Sequence, residues 1–210
     1  MNIHSVTAPT LEPGPVAAPM TTRVLDAALA VFTERTYAGA AVPLVAARAG
    51  VGVGTIYRSF PGKEQLANAV YRRAKLALLD HLATALAALG PGAPAREQVS
   101  AVWAGLAAYA EGDPDGFAFL EHQQHAAYLD DESRAVSARV DSLACDLVRA
   151  GQATGEIRPG DPEVLLALAF GAYVGLTKLA RSRGTTPSRT DVALAGDAVW
   201  HLLATPAPTS

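Results

Sequence analysis

A single cysteine, Cys145, occurs in this chain, so no intrachain disulfide can form and the sequence suits a reducing compartment. Aromatic residues are scarce at 6%, and nowhere do polar and apolar side chains alternate over a sustained run, which argues against a β-sheet. The uncharged, apolar run 164–177 contains Gly171, Tyr173 and Gly175 and falls short of the roughly 20 apolar residues of a membrane helix. The N-terminus lacks a basic segment leading into an apolar one. No secretory signal is therefore expected, and the protein is expected in the cytoplasm without membrane contact. Charged residues are also few, at 18%, whereas half of the 210 residues are apolar, enough for a globular core.

The charges that are present are unevenly spread. Residues 21–80 hold eight lysines and arginines against four acids, while residues 81–210 hold nine basic groups against fifteen acidic ones. A basic head on an acidic body suits a polyanion partner for the head alone.

Helical periodicity fills the space that strands leave empty. Val24, Leu25, Ala28, Leu29 and Phe32 recur three and four apart in a first helix over about 21–36, which Thr21 or Thr22 can cap. Short helices follow over about 43–49 and 53–59. A fourth starts at Lys63 and runs towards Leu89, where Gly90-Pro91-Gly92 stops it. Five more are expected over about 95–111, 114–128, 131–152, 162–182 and 189–203. Asp113-Pro114 and Asp161-Pro162 open two of these, because aspartate caps a helix whose first residue is proline. Prolines at both ends mark tails expected to be disordered, 1–19 and 204–210. The expected fold is all-α, with about nine helices.

Residues 46–66, AARAGVGVGTIYRSFPGKEQL, carry the functional signal. A short helix meets Gly50, where a left-handed turn favours glycine, and after a three-residue turn the next helix carries Thr55, Tyr57 and Arg58. That is the pattern of a helix-turn-helix, whose second helix reads the major groove of DNA. Val45, Val51, Ile56 and Phe60 can form the small core that fixes the crossing. Val53, Gly54, Thr55, Tyr57, Arg58 and Ser59 are left as DNA-binding candidates facing outward. Thr55 and Tyr57 can donate to phosphate, Arg58 can reach a phosphate or a guanine edge, and Gly54 lets the backbone approach closely. Lys63, beside the free N–H groups that open the fourth helix, is expected to hold a phosphate.

In these residues the sequence resembles the tetracycline-repressor-like (TetR) family of transcriptional regulators, from Arg23 to about Tyr71. The resemblance rests on Phe32, Val45-Ala46, Ala49-Gly50-Val51, Gly54-Thr55-Ile56-Tyr57, Phe60 and Lys63-Glu64-Gln65-Leu66. It implies an N-terminal three-helix DNA-binding domain over 20–66, followed by a larger helical effector-binding and dimerisation domain over 67–203. It implies a ligand-responsive regulator, a repressor, that binds a palindromic double-stranded DNA operator as a homodimer and is released by a small-molecule effector. Three residues depart from the family pattern. Ala40 and Ala41 stand where a hydroxyl is common, Gly52 replaces a serine cap, and Ser59 stands where histidine is common.

Trp103, Tyr109, Phe119, His122 and Tyr173 are candidates for the effector pocket. Ala172, Gly175, Leu176, Ala195, Val199 and Leu202 are candidates for the dimer face. His122 and His125 share a helix face, but no third ligand of the right kind lies near, so neither a metal nor a cofactor is expected. No nucleophile–base pair and no phosphate loop supports an all-helical enzyme. A helical interaction module with a degenerate reading head is the remaining alternative, and the missing hydroxyls at Ala40 and Ala41 give it weight.

Overall fold

The computed structural model describes residues 17–122 and 125–206; the expected tails fall partly on 1–16 and 207–210, outside the described residues. Among the described residues are nine α-helices: α1 (Ala17–Gly39), α2 (Val42–Ala49), α3 (Val53–Ser59), α4 (Lys63–Ala87), α5 (Ala95–Gly112), α6 (Pro114–His122), α7 (Asp131–Ala153), α8 (Pro162–Ser182) and α9 (Arg189–Leu203). A 3-10 turn spans His125–Ala127. The only extended pairing among them is an isolated antiparallel bridge between Ile157 and Ala204. The chain divides after Ala67 into two compact units, and α4 runs without a break through that division.

The expected boundaries hold in most helices, and the exceptions have local causes. α1 begins at Ala17, so Thr21 and Thr22 lie inside it and do not cap it. Pro19 falls in its first turn, where a missing N–H breaks no intrahelical bond. α6 stops at His122 instead of continuing to 128. Beyond it, His125 Nε2 donates to the Phe119 carbonyl, and the Tyr128 hydroxyl donates to His125 Nδ1, which ties the chain back on itself. Residues 204–206, expected in a tail, are partly held: Thr205 N–H donates to the Glu156 carbonyl, and Arg158 donates through Nε to the Ala204 carbonyl.

In the second unit, every helix from α4 to α9 contributes to one core. Leu78 and Leu82 come from α4, Trp103, Leu106 and Tyr109 from α5, and Phe117 from α6. Val140 and Val148 of α7, Leu165 and Tyr173 of α8, and Val199 and Leu203 of α9 complete it. Close helix approach depends on small residues: a Cβ on Gly105 would lie 2.9 Å from the His81 carbonyl of α4. Asp113 and Asp161 cap α6 and α8 as their Asp-Pro pairs imply, accepting from Gly116 N–H at 2.8 Å and Glu163 N–H at 2.9 Å.

A polar network joins α4 to the start of α7. The fully buried Asn68 donates to the Tyr128 carbonyl at 2.8 Å and accepts from Asp130 N–H at 3.0 Å. Asp130 caps α7 by accepting from Ser133 N–H at 2.8 Å, and Arg72 Nη1 donates to both of its carboxylate oxygens. Burial pushes the Asp130 carboxyl up, but the Ser133 and Arg72 bonds outweigh it and hold it below the ordinary value. Asp130→Ala is therefore expected to cost about 1–2 kcal/mol, lowering the melting temperature by a few degrees. A depressed folded value means that the charge-dependent part of this stability is present above the unfolded value of about 3.9 and is lost as pH falls through the folded one. Thermal unfolding of wild type and variant across pH should give curves that converge in acid.

Candidate nucleic-acid interface and effector core

The first unit is a helix-turn-helix built on a small apolar core. Val24, Ala28, Leu29 and Phe32 of α1 meet Val42, Val45, Ala46 and Ala49 of α2, with Ile56 as the buried residue of α3. Gly50 ends α2 at φ 64°, in the left-handed region, and Val51 N–H reaches back to the Ala46 carbonyl at 3.0 Å. Arg23 Nη2 donates to the Ala49 carbonyl at 2.6 Å, closing the C-terminus of α2 from the side of α1. Val51 and Phe60 are only half-buried, so the crossing rests mainly on Val45 and Ile56.

On α3, Gly54, Tyr57, Arg58 and Ser59 are exposed, and Val53 and Thr55 are half-buried. Tyr57 leaves 47% of its surface open although it is an aromatic residue on a packed head. Arg58 Nη2 donates to Thr55 Oγ1 one turn back, at 3.2 Å. A Cβ on Gly54 would meet nothing within 4 Å, so that side of α3 opens outward. Gly52 caps α3 in extended backbone without a side-chain bond, and Ala41 does the same for α2. Ala40 is buried in the core of the head. A hydroxyl there would point inward, so its absence does not weaken the outer surface.

Lys63 behaves otherwise than its residue type suggests. Its Nζ donates to the carbonyls of Tyr37 at 2.9 Å and Ala40 at 3.2 Å, and it lies 4.5 Å from the centre of the Tyr37 ring. The sequence carries no mark of this, because the two carbonyls lie 26 and 23 residues upstream, in the last turn of α1 and just beyond it.

In the second unit the candidate pocket residues divide. The edges of Trp103 and Phe117 meet Tyr173 at centroid distances of 5.3 and 5.5 Å. Trp103 Nε1 donates to the Val192 carbonyl at 2.8 Å. Its ring also lies over Gly196, where a Cβ would be 2.8 Å away. Phe119 belongs to a different cluster and packs on His125, which also meets Tyr71 and Tyr128. Burial pushes the His125 imidazole below its ordinary value. The side chain of His122 lies outside the described residues. Tyr109 is 1% exposed and rests edge-on against His81, yet its hydroxyl has no hydrogen-bond partner among the described residues. Burial, with the Asp113 carboxylate next in effect, pushes that phenol well above its ordinary value. Open surface grooves lie elsewhere, one lined by Arg23, Asp26, Arg48 and Gly50 and another between α4 and α7. Among the described residues no three His, Cys, Asp or Glu side chains gather as a metal site would need.

The candidate dimer face needs correction on α9. Val199 is 3% exposed and lies in the core, and Ala195 and Leu202 pack against that core. Trp103 of α5 lies against Val192 and Gly196 of α9, and Val199 shares its core, so this side of α9 turns inward. Ala172 and Gly175 of α8 are exposed, and Leu176 is half-buried. With them the structure exposes Val164, Leu168, Phe170 and Leu179 of α8 and Leu194 of α9. α8 has a mean hydropathy of 1.5 and meets the length and composition of a membrane span, although the uncharged run within it is shorter.

Comparison with known proteins bears on both units. Residues 24–70 match the family of bacterial regulatory proteins of the tetR type, and residues 79–204 match the tetracyclin repressor-like C-terminal domain. Among solved structures, a TetR-family transcription regulator from Shewanella sp. PV-4 is similar at 21% identity and a TM-score of 0.74, covering 89% of this chain and 99% of its own. A TetR-family regulator from Marinobacter aquaeolei VT8 is similar at 23% identity and a TM-score of 0.74, over 90% of this chain and 97% of its own. The regulator FadR from Bacillus subtilis, solved with stearoyl-CoA, is similar at 20% identity and a TM-score of 0.67, over 88% and 97%. No protein with a curated description matches in sequence. The neighbours share the fold, and the two family matches together span the head and the helical body: the chain belongs to the TetR family of bacterial transcriptional regulators.

Proposed function

We propose that this regulator is a cytoplasmic repressor that grips a palindromic operator as a homodimer and leaves it when a small molecule binds. The observation that carries this reading is the outward face of α3, with Tyr57, Arg58, Gly54 and Ser59 exposed on a helix held by the buried Ile56. Set in a major groove, that face offers Arg58 to base edges and Thr55 and Tyr57 to phosphates. The basic balance of residues 21–80 favours the approach of a polyanion.

The partner face is the exposed stripe Val164, Leu168, Gly171, Ala172, Gly175 and Leu179 on α8, with Leu194 of α9 beside it. A twofold axis through it would present two heads to two half-sites, spaced by about one helical turn of DNA or a multiple of it. The effector enters the core around Tyr109, Trp103 and Tyr173, to which α4 contributes Leu78 and Leu82. Because α4 continues into the reading head, a ligand that shifts α4 favours conformers whose heads no longer fit the operator.

Titration of the purified protein with the DNA flanking its own gene tests the reading. A salt-sensitive, sequence-selective complex with a two-part footprint is expected, and no such complex at micromolar protein would sink it.

Tyr109→Phe probes the effector site. A buried hydroxyl without a partner carries an uncompensated desolvation cost, so its removal is expected to stabilise the free protein by about 1 kcal/mol. The same variant should respond less to effector, because the guest loses its bond to the phenol. Thermal unfolding with and without a small-molecule library measures both. A destabilised variant would mean that the hydroxyl is already satisfied within the protein.

A further inference from the structure

We infer that Lys63 is a positioning residue, whose ammonium fastens the start of α4 to the corner between α1 and α2 and does not anchor a DNA phosphate. The inference rests on the DNA-reading function proposed above and concerns how the head keeps its shape.

Geometry leaves the ammonium little freedom. Two of its three N–H bonds are taken by the carbonyls of Tyr37 at 2.9 Å and Ala40 at 3.2 Å. The face of the Tyr37 ring lies 4.5 Å away, a cation–π contact that covers a further side. The Tyr37 carbonyl lies past the kink at Thr36, in the last turn of α1, and the Ala40 carbonyl lies in the link to α2.

The corner also needs a fastening. Thr36 sits at φ 59°, ψ 166°, a β-branched residue in the left-handed half of the map. Such a conformation persists only where neighbouring structure holds it. Ala40 N–H donates to the Thr36 carbonyl at 3.1 Å, and the next residue, Ala41, opens α2 without a side-chain cap. Lys63 therefore ties two carbonyls of the α1–α2 corner to the start of α4. A phosphate-binding role was expected from residue type and position alone; the structure gives the same side chain two intramolecular acceptors.

The two roles differ in salt dependence. An ammonium that neutralises a phosphate releases counterions, so its loss makes the slope of log K against log salt shallower by about 0.9. An ammonium that shapes the head changes affinity and leaves the slope alone. Full-length protein and Lys63→Gln are titrated with a random-sequence duplex over a range of salt, and their melting temperatures are measured. Glutamine keeps a donor for one carbonyl and loses the charge. The expected result is a lower melting temperature and an affinity reduced about tenfold at every salt concentration, with the slope unchanged. A slope shallower by about 0.9 overturns the inference whatever the melting temperature. If Lys63→Gln does not fold, Tyr37→Leu keeps the lysine and its charge and removes the ring. The inference expects it to bind several-fold more weakly with an unchanged slope, and unchanged affinity overturns it. Wild-type protein that binds no duplex at all removes the DNA-reading function itself, an outcome distinct from either variant's failure.

Discussion

Leu168→Asp combined with Leu179→Asp is expected to leave a folded monomer that has lost most of its operator affinity. The two leucines are 52% and 47% exposed and sit about three turns apart on the outward stripe of α8. Neither belongs to the core, so in the monomer both aspartates would be hydrated and folding would change by no more than about 0.5 kcal/mol. In an isologous dimer the same carboxylates would be buried against the partner's equivalent stripe, charged and unpaired, which is strongly unfavourable. Gly171, Ala172 and Gly175 at the centre of the stripe would let two copies of α8 come close in such a dimer, leaving little water to solvate the charge. A monomer holds one half-site, and loss of the linked second contact costs about 10²–10⁴ in affinity. Sedimentation, circular dichroism and operator titration separate the three quantities. A variant that stays dimeric would move the interface off α8.

The helices were legible because each carries its own punctuation. Gly50 reads as a left-handed cap and has φ 64°, and Asp113 and Asp161 cap the helices that their prolines open. What a helix packs against is written less clearly. The stripe Ala195, Val199 and Leu202 has the period of a buried face, but the period does not say whether a partner or the chain's own core covers it. At Gly196 the close approach is that of the Trp103 ring, whereas Gly171 and Gly175 in α8 face open space. Asn68 was also readable, as a lone amide in the apolar run of Leu66, Val70 and Tyr71. The candidate pocket shows the opposite limit. Trp103, Tyr109 and Tyr173 have the spacing of core residues and pocket residues alike, and only the unpartnered Tyr109 hydroxyl distinguishes one of them. Lys63 shows a related limit: a long, flexible side chain is claimed by whatever acceptor the tertiary fold brings near, and Tyr37 lies 26 residues upstream.

Arg58→Ala is expected to lower operator affinity by about 1–3 kcal/mol and to relax the preference at one base pair in each half-site. The outer face of α3 has few other means of reading a sequence. Gly54 has no side chain, Ser59 is short, Val53 is half-buried, and Tyr57 ends in a single hydroxyl. Arg58 is the one long donor in that set, and its bond to Thr55 Oγ1 holds the guanidinium along the exposed surface before DNA arrives. A guanidinium has five N–H donors, so this bond leaves enough of the fork for two acceptors on a guanine. Arg58→Lys restores the charge and loses the fork, and is expected to recover non-specific affinity without recovering base preference. Thr55→Val removes the positioning bond alone and should cost about 0.5–1.5 kcal/mol with the preferred sequence unchanged. Selection of bound sites from a random pool, carried out with wild type and with Arg58→Ala, decides the matter. If both enrich the same sites and differ only in overall affinity, Arg58 grips the backbone, and sequence is read through DNA shape and the spacing of the two heads.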